Sequence, residues 1–182
     1  MRYPEYAEVK GIKYKINTDY RVALRCFEVI EDTSISDQER ALAVVFLLFG
    51  ETPIEEMGEF LRIAGDYLRC GEKETTQEAR ERDIDFTADE KYIVASFMSD
   101  YHIDLASTDM HFWQYIQLIQ GFTENAIMSR VRDIRNFDMS ELKDPAQRAK
   151  MAKAKATLAL PEKFSKDEQK AIEDFEKLFD VG

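Results

Sequence analysis

Apolar residues recur along most of this chain at helical spacing, and one stretch breaks its polar background more sharply than any other. The thirteen residues Met110–Phe122, MHFWQYIQLIQGF, hold the only Trp and no residue with a formal charge at neutral pH. At 100° per residue Phe112, Tyr115, Ile116 and Ile119 fall on one broad face and Trp113 widens it, which predicts a buried helix ended by Gly121 and packed around by its neighbours. A second uncharged run, ALAVVFLLFG at Ala41–Gly50, is apolar all round and predicts another buried helix stopped by its glycine. The N-terminus alternates instead. Ile12, Tyr14 and Ile16 point one way and Lys13 and Lys15 the other, with Lys10-Gly11 as the turn, so a β-hairpin is expected over 1–17 with its apolar face on helices.

Helix starts follow from capping chemistry. Thr18 is placed to cap a helix carrying Val22, Cys26, Phe27 and Ile30, and Ser36 with Glu39 spells a capping box ahead of the apolar run. Thr52, Pro53 and Glu55 repeat the device for a helix to Cys70 with Gly71 as its stop; Thr87 with Glu90 makes a third box and Ser165 with Glu168 a fourth. Thr108 or Asp109 is expected to cap the aromatic helix, and Thr123 the next, with Ile127, Val131 and Ile134 on one side. Asp144-Pro145 opens a helix with the stripe Ala149, Ala152, Ala156 and Ala159. The last helix aligns Ala171, Ile172, Phe175, Leu178 and Phe179, a face able to dock on the body or on another chain. Glu72–Asp83 has no large apolar residue and reads as an exposed connector.

The expected fold is therefore mainly α, a multi-helix globular domain with a small N-terminal β-hairpin. It comprises a single helical domain over 1–182, with the connector at 72–83 and a helical arm over 144–182. At 182 residues no disulfides are needed to hold it, and Cys26 and Cys70 read as small buried thiols in a reducing cytoplasm. Both uncharged runs fall short of a membrane span, and no signal segment leads the chain.

A net charge of -11 argues against general nucleic-acid binding. The charge is uneven: Glu51–Glu90 holds thirteen acids against five bases, and Arg130–Lys155 eight bases against four acids. Solvated helix faces account for this, and head-to-tail attraction between copies is the sharper reading. Within it, the helix carrying Arg148, Lys150, Lys153 and Lys155 has no aromatic residues on which bases would stack.

Reactive constellations are missing. His102 and His111 stand nine apart outside metal-ligand spacing, and Glu56 and Glu59 share a helix without a histidine partner, so neither a metal nor any other cofactor is expected. The chain holds no phosphate loop, no dinucleotide fingerprint and no nucleophile with a neighbouring His and orienting acid. An enzyme is not expected. His111 beside Trp113 reads as a hydrogen-bonded packing residue.

Several segments occur together in one phage family. From Val9 to Pro161 the order is GIKYKI, NTDYRVAL, FMSDYHIDL, HFWQYIQLIQGF, RNFDMSEL and KATLALP, and in this the chain resembles the bacteriophage gene-product-fifteen family, encoded just ahead of the tape-measure gene in long-tailed phages and prophages of Gram-positive bacteria. That family's signature is a His with two tryptophans opening the aromatic helix, a Gly ending it and a downstream Met-Asp pair. Here these are His111, Phe112 and Trp113, then Gly121, then the inverted Asp138-Met139. Phe112 departs from the pattern, and Gln114 and Gln117 replace more basic residues.

The resemblance implies a tail-morphogenesis role in the host bacterial cytoplasm, as a tail-assembly chaperone binding the tape-measure protein or the downstream member of a chaperone pair with an upstream-encoded partner. A structural minor tail or adaptor component of the virion is the competing class. Trp113, Phe175, Leu178 and Phe179 are the candidate partner-binding residues, with Trp113 either buried in the fold or open in a groove. A homo-oligomer is expected, and no nucleic-acid or membrane partner.

Overall fold

The structure, a computed structural model, describes residues 3–72, 83–161 and 166–179. Among these residues are eight α-helices and one two-stranded antiparallel sheet, so the protein is mainly α with an N-terminal hairpin, as the pattern predicts. Its contacts group into two compact units. The first comprises 1–76, 109–116 and 163–182, and the second 77–108 and 117–162.

The first unit opens with β1 (Tyr6–Val9) and β2 (Ile12–Lys15), joined through Lys10 and Gly11 at φ 48° and 79°. Two successive positive φ values give the turn a twist that matches paired strands. Ala7, Val9, Tyr14 and Ile16 turn inward, the Tyr14 ring meeting Phe60 edge-on at 4.8 Å, whereas Ile12 is 58% exposed at the turn end.

Helix α1 (Tyr20–Glu31) is capped by Asp19 and not by Thr18. Thr18 is otherwise engaged, because its carbonyl accepts the Phe112 amide while the Tyr20 amide donates to Met110, pairing 18–20 with 110–112 in an antiparallel bridge. Helix α2 (Asp37–Phe49) has the full Ser36–Glu39 capping box and ends at Gly50 with φ 75°. It is not buried all round: Leu42 and Phe46, one turn apart, are 40% and 62% exposed. The expected box at Thr52 is absent, since a 3-10 turn at Ile54–Glu56 leads into α3 (Met57–Leu68) without a side-chain cap. Cys70 and Gly71, both at positive φ, close α3 by donating to Tyr67 and Asp66, a Schellman ending with Cys70 in the left-handed place. Helix α8 (Lys166–Glu176) and a 3-10 turn at Lys177–Phe179 also belong to this unit, packing on α1 and α3 respectively, so the stretch 144–182 is divided between the two units.

The second unit contains α4 (Glu90–Tyr101), α6 (Ile127–Asn136) and α7 (Pro145–Leu158). Entry to α4 is organised by Asp85 in place of Thr87: its carboxylate accepts the Thr87 and Ala88 amides while Asp89 accepts the Asp85 amide. Helix α6 starts later than Thr123 predicts and turns Met128 and Val131 inward, leaving Ile127 42% exposed; the Met128 amide donates to the buried Ser96 hydroxyl. Asp144 and Pro145 begin α7 as expected. The alanine stripe is solvent-facing, however, and Met151, Ala154, Lys155 and Leu158 are the partly covered residues. Turning Met151, Lys155 and Leu158 inward covers more apolar area than turning in the methyl groups of the stripe.

Helix α5 (Phe112–Gln120) contributes residues through Ile116 to the first unit and the remainder to the second. It stops before Gly121 as predicted, though without a positive φ there; the Tyr101 hydroxyl would lie 3.1 Å from any Cβ, and it donates to the Leu118 carbonyl. The sequence expectations for 73–82 and for the Ser165 cap lie outside the described residues.

Candidate functional site

Trp113 is half-buried and tied into the fold. Its indole N–H donates to the Tyr67 carbonyl at 2.8 Å, and its ring edge lies 3.1 Å from where a Cβ on Gly71 would stand. Trp113 thus fastens the start of α5 to the closing turn of α3. His111 fixes the same junction. Its Nδ1 faces the Trp113 amide at 3.0 Å and its Nε2 the Pro4 carbonyl at 3.0 Å. An amide only donates and a carbonyl only accepts, so these contacts pair Nε2–H with the Pro4 carbonyl and leave Nδ1 to accept from the Trp113 amide, capping α5 in place of Thr108 or Asp109. Tyr3 stacks on this ring at 4.9 Å, and Tyr20 on Tyr115 at 4.5 Å.

Phe175 and Phe179, expected as an apolar contact for other molecules, are buried within the first unit, and of the last helix's candidates only Leu178, 41% exposed, faces outward. The physical reason is a groove formed by α1, α2 and α3. Its floor holds the guanidinium of Arg40, 4.4 Å from the Phe175 ring and donating to the Ile30 carbonyl at 2.9 Å while paired with Asp37. At the other end Gly65 has no side chain, and a Cβ there would come within 2.6 Å of the Phe179 Cβ. Ile172, Phe175 and Phe179, spaced i, i+3 and i+7, fill this groove, and Thr33 donates to Glu168 at 3.4 Å near the start of the helix. A recess of about 170 Å³ remains among Phe27, Ile30, Gly65, Leu68 and Phe179. The helix face is legible in the sequence but its receptor is not, because Arg40 and Gly65 belong to no apolar period that would mark them.

Elsewhere in the first unit, Phe46 edges an open cleft of about 650 Å³ between the end of α2 and the bridged segments, lined also by Asn17, Asp19, Asp109 and His111. Arg21 pairs with Asp19 at 3.0 Å and Asp109 at 3.3 Å beside it.

Part of the charge asymmetry is satisfied within the second unit. Arg135 grips Asp89 through two nitrogens, each at 2.7 Å, and also donates to the Asp83 and Leu158 carbonyls. The Asp89 hydrogen bond outweighs burial and raises the Arg135 pKa further. Burial pushes the Asp83 carboxyl up, but Arg132 at 2.9 Å and Asn136 at 3.0 Å hold it below its ordinary value. Bases and acids that suggest attraction between copies therefore meet here in one chain, leaving Arg148, Lys150 and Lys153 of α7 exposed.

Among the described residues no group of three or more His, Cys, Asp or Glu is arranged to hold a metal, and no helix is long and apolar enough to cross a membrane. Burial pushes both the Cys26 and the Cys70 thiol up to about 12, which keeps them protonated and poor nucleophiles at neutral pH.

The family model described as Bacteriophage Gp15 protein matches residues 2–160. The chain belongs to that family. No curated protein and no solved structure matches it. The match covers the hairpin, α1 to α7 and every wall of the groove, whereas α8 lies beyond it. Membership gives a phage protein with a structural or morphogenesis role.

Proposed function

We propose that this member of the Bacteriophage Gp15 family is a tail-assembly chaperone that binds the tape-measure protein in the host cytoplasm, acting by binding and not by catalysis. A tape-measure protein is a long helical chain with apolar stretches, which must be kept from aggregating until tail-tube subunits cover it. The observation that carries this reading is the groove on α1, α2 and α3, which accepts an amphipathic helix through apolar residues at i, i+3 and i+7. Helix-in-groove recognition of this kind reads an apolar stripe with little regard to the rest of the sequence, as a holder of many similar helical segments requires. The reading includes self-association on the client and an upstream-encoded partner.

Co-expression with the tape-measure protein tests it. Soluble tape-measure protein retained on the tagged full chain is the expected result. Tape-measure protein that is equally insoluble with and without the chain would overturn the reading.

A further inference from the structure

We infer that α8 is a displaceable resident of the helix-binding groove, an internal substitute that a partner's amphipathic helix of the same pattern replaces. This deepens the proposed function by naming how the client site is regulated, but its test does not depend on the client being a tape-measure protein.

Three observations carry it. First, the walls are complete without α8. Arg40 is held by the Ile30 carbonyl and Asp37, α2 by its own capping box, and α3 by its own closing turn and by Trp113. Lifting α8 therefore uncovers a formed groove and does not dismantle its sides. The receptor's walls also lie inside the 2–160 family match, and its occupant lies beyond the match's end.

Second, α8 fits imperfectly. A half-open recess of about 170 Å³ stays unfilled beside Phe179, and the Arg40 Nε is buried beneath the helix with no hydrogen-bond partner. The orphaned donor opposes docking and is relieved when water or a better-matched helix enters, and the recess leaves room for a larger side chain than the resident helix supplies.

Third, α8 has the composition of a ligand. Its buried side chains are Ile172, Phe175 and, in the following turn, Phe179, while Asp167, Glu173, Asp174 and Glu176 stand in the exposed remainder. Lys170 and Lys177 stand there too, and a helix carrying three apolar anchors on a charged background stays soluble when it leaves its groove. The occupant this groove fits is accordingly a helix with a bulky aliphatic or aromatic residue at i, i+3 and i+7, the Cβ at i+7 lying against the bare backbone of Gly65.

Two measurements test the inference on the full chain. Native-state hydrogen exchange of the wild type is expected to show amides of 167–179 exchanging at least tenfold faster than those of Val44, Val45 and Ala64, because α8 opens as a unit above an intact groove. Equal protection would overturn it. A fluorescein-labelled peptide with the sequence of 166–179 is then titrated against the wild type and against the Phe175→Ala, Phe179→Ala double variant. The peptide is expected to bind the variant at least tenfold more tightly than the wild type, because the resident helix no longer competes. A peptide carrying the same two substitutions should not bind. No gain in affinity, with α1 to α3 still protected in the variant, would overturn the inference, as would wild-type dimers in which α8 occupies the other copy's groove. Should the variant lose protection throughout, the wild-type exchange pattern decides.

Discussion

The indole nitrogen of Trp113 lies 2.8 Å from the carbonyl oxygen of Tyr67, 46 positions away, and this bond ties the start of the aromatic helix to the last turn of α3. The same carbonyl also receives the Cys70 amide, so it retains a donor if the indole is lost. Trp113→Phe is expected to cost about 1 kcal/mol, the scale of one net hydrogen bond, and Trp113→Ala about 3 kcal/mol, the low end for a large aromatic because the ring is partly exposed. Urea unfolding of the two variants measures both. Equal, negligible losses would show that the junction is held without the indole.

Arg135 and Asp89 make the second load on the fold. Their side chains are 10% and 1% exposed, so removing one partner strands a buried charge. Arg135→Gln is expected to destabilise by about 3 to 5 kcal/mol, and Arg135→Lys by a substantial part of that, because a single ammonium cannot reproduce the two-nitrogen grip. Thermal denaturation by circular dichroism gives the comparison. A lysine variant as stable as the wild type would mean that charge alone, without geometry, suffices.

Alkaline pH should weaken the first unit. The Cys26 and Cys70 thiols, both raised chiefly by burial to about 12, and the Tyr67 hydroxyl, also raised chiefly by burial, hold their protons more tightly folded than unfolded. Their contribution is fully present below pH 9, the ordinary thiol value, and is lost as pH rises from 9 toward 12. Chemical denaturation at pH 8 and pH 10.5 is expected to show lower stability at the higher pH, and Cys26→Ala should reduce that difference. An unchanged difference in the alanine variant would remove Cys26 from the account.

How much was legible beforehand follows from the range of each signal. The Ser36–Glu39 box, the Lys10-Gly11 turn and the Asp144-Pro145 start all act within a few residues, and each stands where the chain predicts it. Thr18, Thr52 and Thr87 carry the same local chemistry but yield to competitors, one of them tertiary, the backbone bridge at Thr18, and two local, the 3-10 entry after Pro53 and the Asp85–Asp89 exchange near Thr87. The candidate site was half legible. Phe175 and Phe179 announce an apolar helix face, but its receptor depends on Arg40, Gly65 and Thr33, brought together only by packing that no local period encodes.

For self-association, as part of the proposed function, Phe175 and Phe179 are covered by their own chain while α8 is docked. The exposed bases Arg148, Lys150 and Lys153 remain as its charged route. An oligomer held this way should dissociate as salt rises from 0.1 to 1 M and the Debye length falls from about 10 to about 3 Å. Sedimentation velocity reads this directly, and a salt-insensitive oligomer would point to an apolar interface instead.

The most direct test of the chaperone reading is whether the protein leaves with the particle. Quantitative mass spectrometry of purified virions beside the infected-cell lysate measures it. A chaperone is released once tube subunits cover the tape measure, so the account predicts abundant protein in the lysate and none above background in virions. A fixed stoichiometric number of copies per virion would contradict it and establish a structural tail component.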